Sequence, residues 1–496
     1  MRHLSALDAL FLQLETPETP MHVGSLMLLR RGRAGARRDA YGAIREHLAR
    51  RIHLAPVFSR RLASIPGDIA SPAWLRVGEV DLDYHVRRLR LPKPGSPAQL
   101  NAAVARLHES PLDRERPLWQ VTVIEGLASG EVGYYSKVHH AALDGQGGIA
   151  VAQAILDLKP VKPGTVPGQS PVSGLGQSRG GKPGVGTVPG QSPVSGLGQS
   201  SAAAGRLPPS TARLIGSALR HTVAQYGRIV KSLPEIVGAV ARGGAVALTS
   251  GDLRKKGLTL GPRTRMNAAI EGKRLFATAR IPLDGAKAIA RHYEAKLNDA
   301  VLAIVAGALR RHFAKERGAR SKAMIAAVPV SLRAPGDTSP ANQVSMMFVS
   351  LATQVADPGK RMAAIVAASA QAKRLSGSLR GALPTDLPSL GLPWLMAAAT
   401  PLFRNVVAAK RMPVIANLVV SNVPGPQVPL YLAGMRLVAY YPVSIVTHGL
   451  GLNVTIVSYD GSMDFGLLAA RSALPDLPRL ARHLHESYRE LLETTH

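Results

Sequence analysis

Lys137-Val138-His139-His140-Ala141-Ala142-Leu143-Asp144-Gly145-Gln146 is the stretch on which the reading of this chain turns. Ahead of it runs Glu131-Val132-Gly133-Tyr134-Tyr135-Ser136-Lys137-Val138, β-branched and aromatic, which predicts a buried strand. Behind it Gly145, Gly147 and Gly148 break the chain, and Ile149–Leu156 predicts a helix. The histidine pair therefore falls on a strand-to-helix turn, where a rigid scaffold can present reactive groups to a cleft. A neutral imidazole is well suited to take a proton from a hydroxyl near neutral pH. An aspartate nearby can fix a ring or the loop backbone through charge-assisted bonds. Glycine allows a turn where a side chain would clash. Histidine and aspartate also ligate metals, but the chain has no Cys, no His-Glu-x-x-His helix and no third ligand at a telling spacing, so no metal site is expected.

The whole pattern His-His-x-x-x-Asp-Gly, from His139 to Gly145, resembles the active-site motif of the CoA-dependent acyltransferase superfamily. Within it, the chain resembles the bacterial wax ester synthase/diacylglycerol acyltransferase family. The opening Leu4-Ser5-Ala6-Leu7-Asp8-Ala9-Leu10-Phe11-Leu12-Gln13-Leu14-Glu15 and Thr19-Pro20-Met21-His22-Val23-Gly24 carry the likeness, as does Pro111-Leu112-Asp113-Arg114-Glu115-Arg116-Pro117-Leu118-Trp119. So do Leu297-Asn298-Asp299-Ala300, Val328-Pro329-Val330-Ser331-Leu332-Arg333, Ser421-Asn422-Val423-Pro424-Gly425-Pro426, and Asn453-Val454 through Asp460-Gly461. Asn342-Gln343-Val344-Ser345 also matches, although Ala341-Asn342 stands where the family often has Gly-Asn.

The resemblance implies an α/β fold: two chloramphenicol-acetyltransferase-like domains with mixed sheets flanked by helices and an active-site channel between them. It implies acyl transfer from a long-chain acyl-CoA, a co-substrate rather than a cofactor, to a fatty alcohol or diacylglycerol. By the same analogy His140 is the general base, His139 supports the site, Asp144 holds the loop through an arginine, and Gly145 permits the turn. Asn298 and Asp299 are the second domain's contribution near the channel, and they could equally cap the helix that follows. Ser421 and Asn422 are candidates for polarising the thioester carbonyl. Two other readings stay open: a condensation-type acyltransferase forming an amide or ester on another acceptor, and a lipid-binding protein without turnover.

Composition limits the alternatives. With 61 Lys+Arg against 32 Asp+Glu the formal charge is +29, which favours polyanions. Basic residues are scattered and aromatics are only 4%, so stacking platforms for nucleic acid are scarce, and an anionic membrane or lipid-droplet surface is the expected partner. The absence of Cys suits a reducing compartment. Asp8, Gln13 and Glu15 interrupt the opening apolar stretch, so no signal peptide is expected. No apolar run reaches ~18 residues, so no spanning helix is expected either. The expectation is a cytoplasmic protein held peripherally at a membrane.

Four segments are expected along the chain. Residues 1–157 form an N-terminal α/β domain. Residues 158–206 are rich in Gly, Pro, Ser and Gln, with Gly164–Ser178 repeated unchanged at Gly186–Ser200, which predicts a disordered linker. Residues 207–264 include a basic amphipathic stretch, with Leu214, Ile215, Leu219, Val223 and Val230 at helical spacing between Arg213, Arg220, Arg228 and Lys231. Residues 265–496 form the C-terminal domain. There Asp299 to Phe313 predicts a helix, Leu452 to Tyr459 a strand, and Asp460-Gly461 a hairpin turn.

Overall fold

Alternating burial along the strand ahead of the histidines sets the first sheet. In β7 (Val132–His139), Tyr134 and Val138 enter one core while Tyr135, two residues from Lys137 and four from His139, enters another. The structure, a computed structural model, describes residues 2–4, 6–32, 39–63, 72–143, 147–160, 260–316, 321–331, 344–380 and 414–495. Among these, the first six-stranded sheet runs β12 (Tyr431–Leu432), β13 (Met435–Val443), β2 (His22–Arg30), β7, β6 (Trp119–Glu125), β5 (Val86–Arg90). The second runs β10 (Val344–Ser350), β9 (Ile325–Ser331), β11 (Leu418–Pro424), β14 (Leu452–Tyr459), β15 (Ser462–Ala470), β8 (Arg274–Pro282). Both are mixed: β5 lies parallel to β6, and β11 lies parallel to β9 and β14. A small sheet joins β1 (Arg2–His3), β4 (Ala73–Arg76) and β3 (Arg60–Ala63).

Helices α1 (Ala6–Leu14), α2 (Ala40–Ala49), α3 (Leu82–His85) and α5 (Gly147–Ile155) belong to the first half, and α4 (Pro97–Glu109) packs across to β8 of the second sheet. Helices α6 (Leu283–His292), α7 (Leu297–His312), α8 (Pro358–Arg380) and α9 (Leu477–Glu493) accompany the second. Helix α7 is buried without interruption from Asp299 to Leu309, as expected of a helix apolar all round. The Asp460-Gly461 hairpin forms with φ of 43° and 78°, the paired positive values that a tight two-residue turn needs. These are the mixed sheets and flanking helices that the resemblance implied.

One expectation needs correction. The segment 265–496 is not a self-contained unit, because β12 and β13 leave it and join the first sheet, with β13 antiparallel to β2. Without β13 the long strand β2 would present an open edge, and covering that edge satisfies its backbone groups. Around the crossover the halves share their cores. Val457 and Tyr459 of β14 pack with Met27 and Trp119, and Phe276 and Leu468 pack with Leu26 and Tyr135. Fully buried Asp464 of β15 accepts from Arg280 Nε at 2.6 Å and from the Tyr440 amide of β13 at 2.7 Å. A Cβ on Gly466 would fall 1.7 Å from the Pro442 carbonyl oxygen, so the contact between β15 and β13 exists only because residue 466 has no side chain. The linker residues 161–206 and the basic stretch at 207–259 lie outside the described residues.

Candidate active site

Strand β7 ends at His139, and the chain then winds through a single 3-10 turn, His140–Ala142. His139 is fully buried, and its Nδ1 accepts from the Ala141 amide at 3.1 Å, bracing the turn against the strand end. A neutral ring that accepts at Nδ1 carries its proton on Nε2. That nitrogen lies 3.3 Å from Oε1 of Glu15, close enough for an ion pair but without the alignment of a full hydrogen bond.

Glu15 is held on every side. Oε1 accepts from the Met21 amide at 3.1 Å, and Oε2 accepts from Arg114 Nε at 3.2 Å and Nη2 at 2.9 Å. Burial alone would raise its carboxyl, but His139, Arg114 and the Met21 amide outweigh burial and hold it at about 2. A fixed anion thus stands behind the histidine pair.

His140 has a different environment. Its amide donates to the Met21 carbonyl at 2.8 Å, and its ring stacks on Phe11 with centroids 3.9 Å apart and an interplanar angle of 23°. Its Nδ1 is enclosed and has no hydrogen-bond partner among the described residues. Burial, followed by neighbouring His139, lowers its pKa to about 4, while its own backbone carbonyl pulls the other way. At neutral pH the ring is an uncharged base.

Three sequence segments meet to build this arrangement. Leu4 and Leu12 from the opening pack with Leu112 and Leu118 from the Pro-Leu-Asp…Pro-Leu-Trp block and with Ala141 of the turn. The His139 amide donates to the Leu118 carbonyl at 2.9 Å, and Arg114 Nη2 donates to the Leu12 carbonyl at 2.7 Å. The second half clamps the same region. Arg274 donates to the Glu18 carbonyl, and buried His108 bridges the Tyr135 hydroxyl at 2.8 Å and the Ser444 carbonyl at 2.9 Å. Lys137 is enclosed with Nζ donating to the Leu107 and Ser110 carbonyls at 2.9 and 2.6 Å, and burial lowers its pKa to about 8. The histidine pair therefore stands close to the seam between the two halves.

Of the other candidates, Asp144 and Gly145 lie outside the described residues. Asp299 is buried at the third position of α7, and its Oδ2 accepts from the Lys296 amide at 3.1 Å. It closes the helix start from inside the first turn, and Lys296 occupies the cap position itself. Ser421 and Asn422 are half-buried on β11, opposite Thr455 and Ile456 of β14. Among the described residues, no hydrogen bond or ion pair joins Asn298, Asp299, Ser421 or Asn422 to either histidine, and no group of three or more His, Asp or Glu is placed to hold a metal ion. Glu15, Arg114 and Phe11 belong to the site but were read from the sequence only as parts of family-like segments. The signal that could have found Glu15 is an acid closing a nearly apolar stretch.

Two mixed α/β units that share cores along a seam, with the histidine pair at a strand end close to it, make a chloramphenicol-acetyltransferase-like fold. The starter condensation domain of rhizomide synthetase, in complex with C8-CoA and Leu-SNAC, shares that fold at TM-score 0.52 and 13% identity over 100% of this chain and 94% of that one. The wax ester synthase/diacylglycerol acyltransferase from Marinobacter aquaeolei VT8 matches at TM-score 0.67 and 28% identity over 99% of each chain. In sequence, the Mycobacterium tuberculosis (strain H37Rv) protein named "Probable diacyglycerol O-acyltransferase tgs2" is 34% identical over 503 residues, covering 98% of this chain and 97% of that protein. The family model for the wax ester synthase/diacylglycerol acyltransferase catalytic domain matches residues 4–301, and the model for the family's C-terminal domain matches residues 341–492. The chain belongs to the wax ester synthase/diacylglycerol acyltransferase family and is an acyltransferase.

Proposed function

We propose that this acyltransferase moves a long-chain acyl group from acyl-CoA to a fatty alcohol or diacylglycerol, with His140 as general base. One observation carries the reading: an uncharged, enclosed His140 backed, through His139, by the fixed Glu15 anion. With Nδ1 enclosed, Nε2 is the nitrogen left for substrate. It takes the acceptor hydroxyl proton as the oxygen attacks the thioester carbonyl. As the carbon–sulfur bond breaks, the same proton passes to the CoA thiolate, so the ring ends uncharged and no acyl-enzyme is needed. The transient imidazolium is favoured by the Glu15 charge behind it.

The position near the seam supports a channel between the halves, with acyl-CoA and acceptor meeting at the ring. Asp144 and Gly145 would shape the turn. Asn298, Ser421 and Asn422 would line the channel from the second half. The names of the Marinobacter and mycobacterial relatives support wax ester and triacylglycerol as products. Such acceptors are insoluble, and the +29 charge supports peripheral attachment to an anionic surface. No helix among the described residues is long and apolar enough to cross a membrane.

The test is product analysis with purified protein, labelled palmitoyl-CoA and a panel of alcohols, diacylglycerol and amines. Labelled ester from fatty alcohol or diacylglycerol is expected. Amide from the amines alone would favour condensation-type chemistry, and binding of acyl-CoA without any product would favour a lipid carrier.

A further inference from the structure

A second concentration of charge lies where the C-terminal end of α7 meets α8 and α9. A cavity of about 220 Å³ opens there, well above the ~30 Å³ that one water takes in the liquid. Gly307, Arg310 and Arg311 of α7 line it, with Thr353 from the loop after β10, Arg361 of α8 and Glu490 of α9. Three guanidiniums face one carboxylate.

Arg361 is the telling residue. It is only 1% exposed, and its Nη1 donates to the Val355 and Ala356 carbonyls at 3.1 and 3.0 Å. Its Nε and Nη2 are enclosed and make no hydrogen bond among the described residues. The facing acid, Glu490, has Oε2 3.6 Å from Arg361 Nη2 and 3.1 Å from Arg311 Nη2. One carboxylate at that separation leaves the buried guanidinium under-satisfied, a costly state. The buried Ser487 hydroxyl also lacks a hydrogen-bond partner among the described residues. Gly307 keeps these groups together, since a Cβ there would lie 2.1 Å from Ser487 Oγ and 3.0 Å from Arg361 Nη2. A planar fork with free N–H donors, reinforced by further guanidiniums, suits a phosphate group.

We propose that this cavity binds a small phosphate-bearing anion, with Arg361 and Arg311 as donors and Glu490 as the internal carboxylate that the anion displaces. The site is separate from the histidine pair, and its occupant would fix α8 against α7 and α9.

The test is calorimetric titration of the full chain with inorganic phosphate and with pyrophosphate at constant ionic strength. A second arm measures co-sedimentation with phosphatidate vesicles against phosphatidylcholine vesicles. Saturable binding is expected. Arg361→Gln should weaken it about tenfold or more, the size of one lost charged hydrogen bond. Because Arg361 is buried, half-exposed Arg311→Gln provides a second variant with the same expected loss. Glu490→Gln should tighten binding, whereas Glu493→Gln, an equal charge change, should not. Binding of free phosphate or pyrophosphate, lost in both folded arginine variants, identifies a free anion. Binding confined to phosphatidate vesicles, and lost likewise, identifies a lipid headgroup. No saturable binding, or binding that both arginine variants retain, overturns the proposal.

Discussion

Two adjacent histidines at a strand end project to different surroundings, and here the division separates two tasks. His139 turns inward to Glu15 and the Ala141 amide, while His140 stacks on Phe11. The resemblance assigns the base to His140, which remains a proposal, and the buried position of His139 follows from the strand's alternation. Glu15 and Arg114 were not legible as site residues, because they are 99 positions apart and meet only after folding. Glu15→Gln should keep the shape of the site and remove its charge. We expect kcat to fall about tenfold. Removing a nearby anion makes a neighbouring base weaker, so the acid limb of kcat/KM should also move to lower pH. An unmoved limb would reduce Glu15 to a purely structural group. In the unsubstituted enzyme that limb should have its midpoint well below 6.5, towards the value of about 4 that burial gives His140.

At the scale of elements, strands with strong alternation were readable. Leu452–Tyr459 forms as the sequence predicts, and the motif strand and the central helix differ by a few residues at their ends. The placement of β13 was not readable. Its residues mix apolar and polar side chains, and its partner β2 lies some 400 positions earlier, so pairing depends on an open edge elsewhere. That crossover should be a point of fragility. Asp464→Asn weakens the acceptor shared by Arg280 and the Tyr440 amide and should cost about 2 kcal/mol. Gly466→Ala must push β15 from β13 and should cost at least as much. Denaturant unfolding measures both, and unchanged midpoints would show that the two sheets are not held along this line.

For the whole molecule, acid should act through buried bases as well as carboxylates. His140 at about 4 and His108 at about 3 both lie below the usual histidine value of 6.5, because burial disfavours their charged forms. The unfolded chain binds more protons in that window, so stability should decline as pH falls from 6.5 towards 4. Glu15, at about 2 against an ordinary 4.5, adds stability that is complete above pH 4.5 and lost on the way to 2. Melting temperature against pH reads both, and a flat profile from 7 to 4.5 would contradict the buried-histidine account. The charge of +29 makes a separate prediction: binding to anionic vesicles should exceed binding to neutral ones and weaken in high salt. Equal binding to the two would contradict the proposed electrostatic attachment to an anionic surface. Composition supplies only the net charge, and the resemblance implied a channel between two domains, whereas the strand crossover and the shared cores that form the seam emerge only from the packed halves.

The proposed mechanism turns on His140 as the base that moves the acceptor's proton. It is tested most directly by the steady-state rate of ester formation from labelled palmitoyl-CoA by His140→Ala, with circular dichroism and melting temperature recorded on the same sample. A folded protein slowed ~100- to 10,000-fold is expected, with acyl-CoA binding retained. A folded His140→Ala protein that makes ester at near the original rate would contradict it.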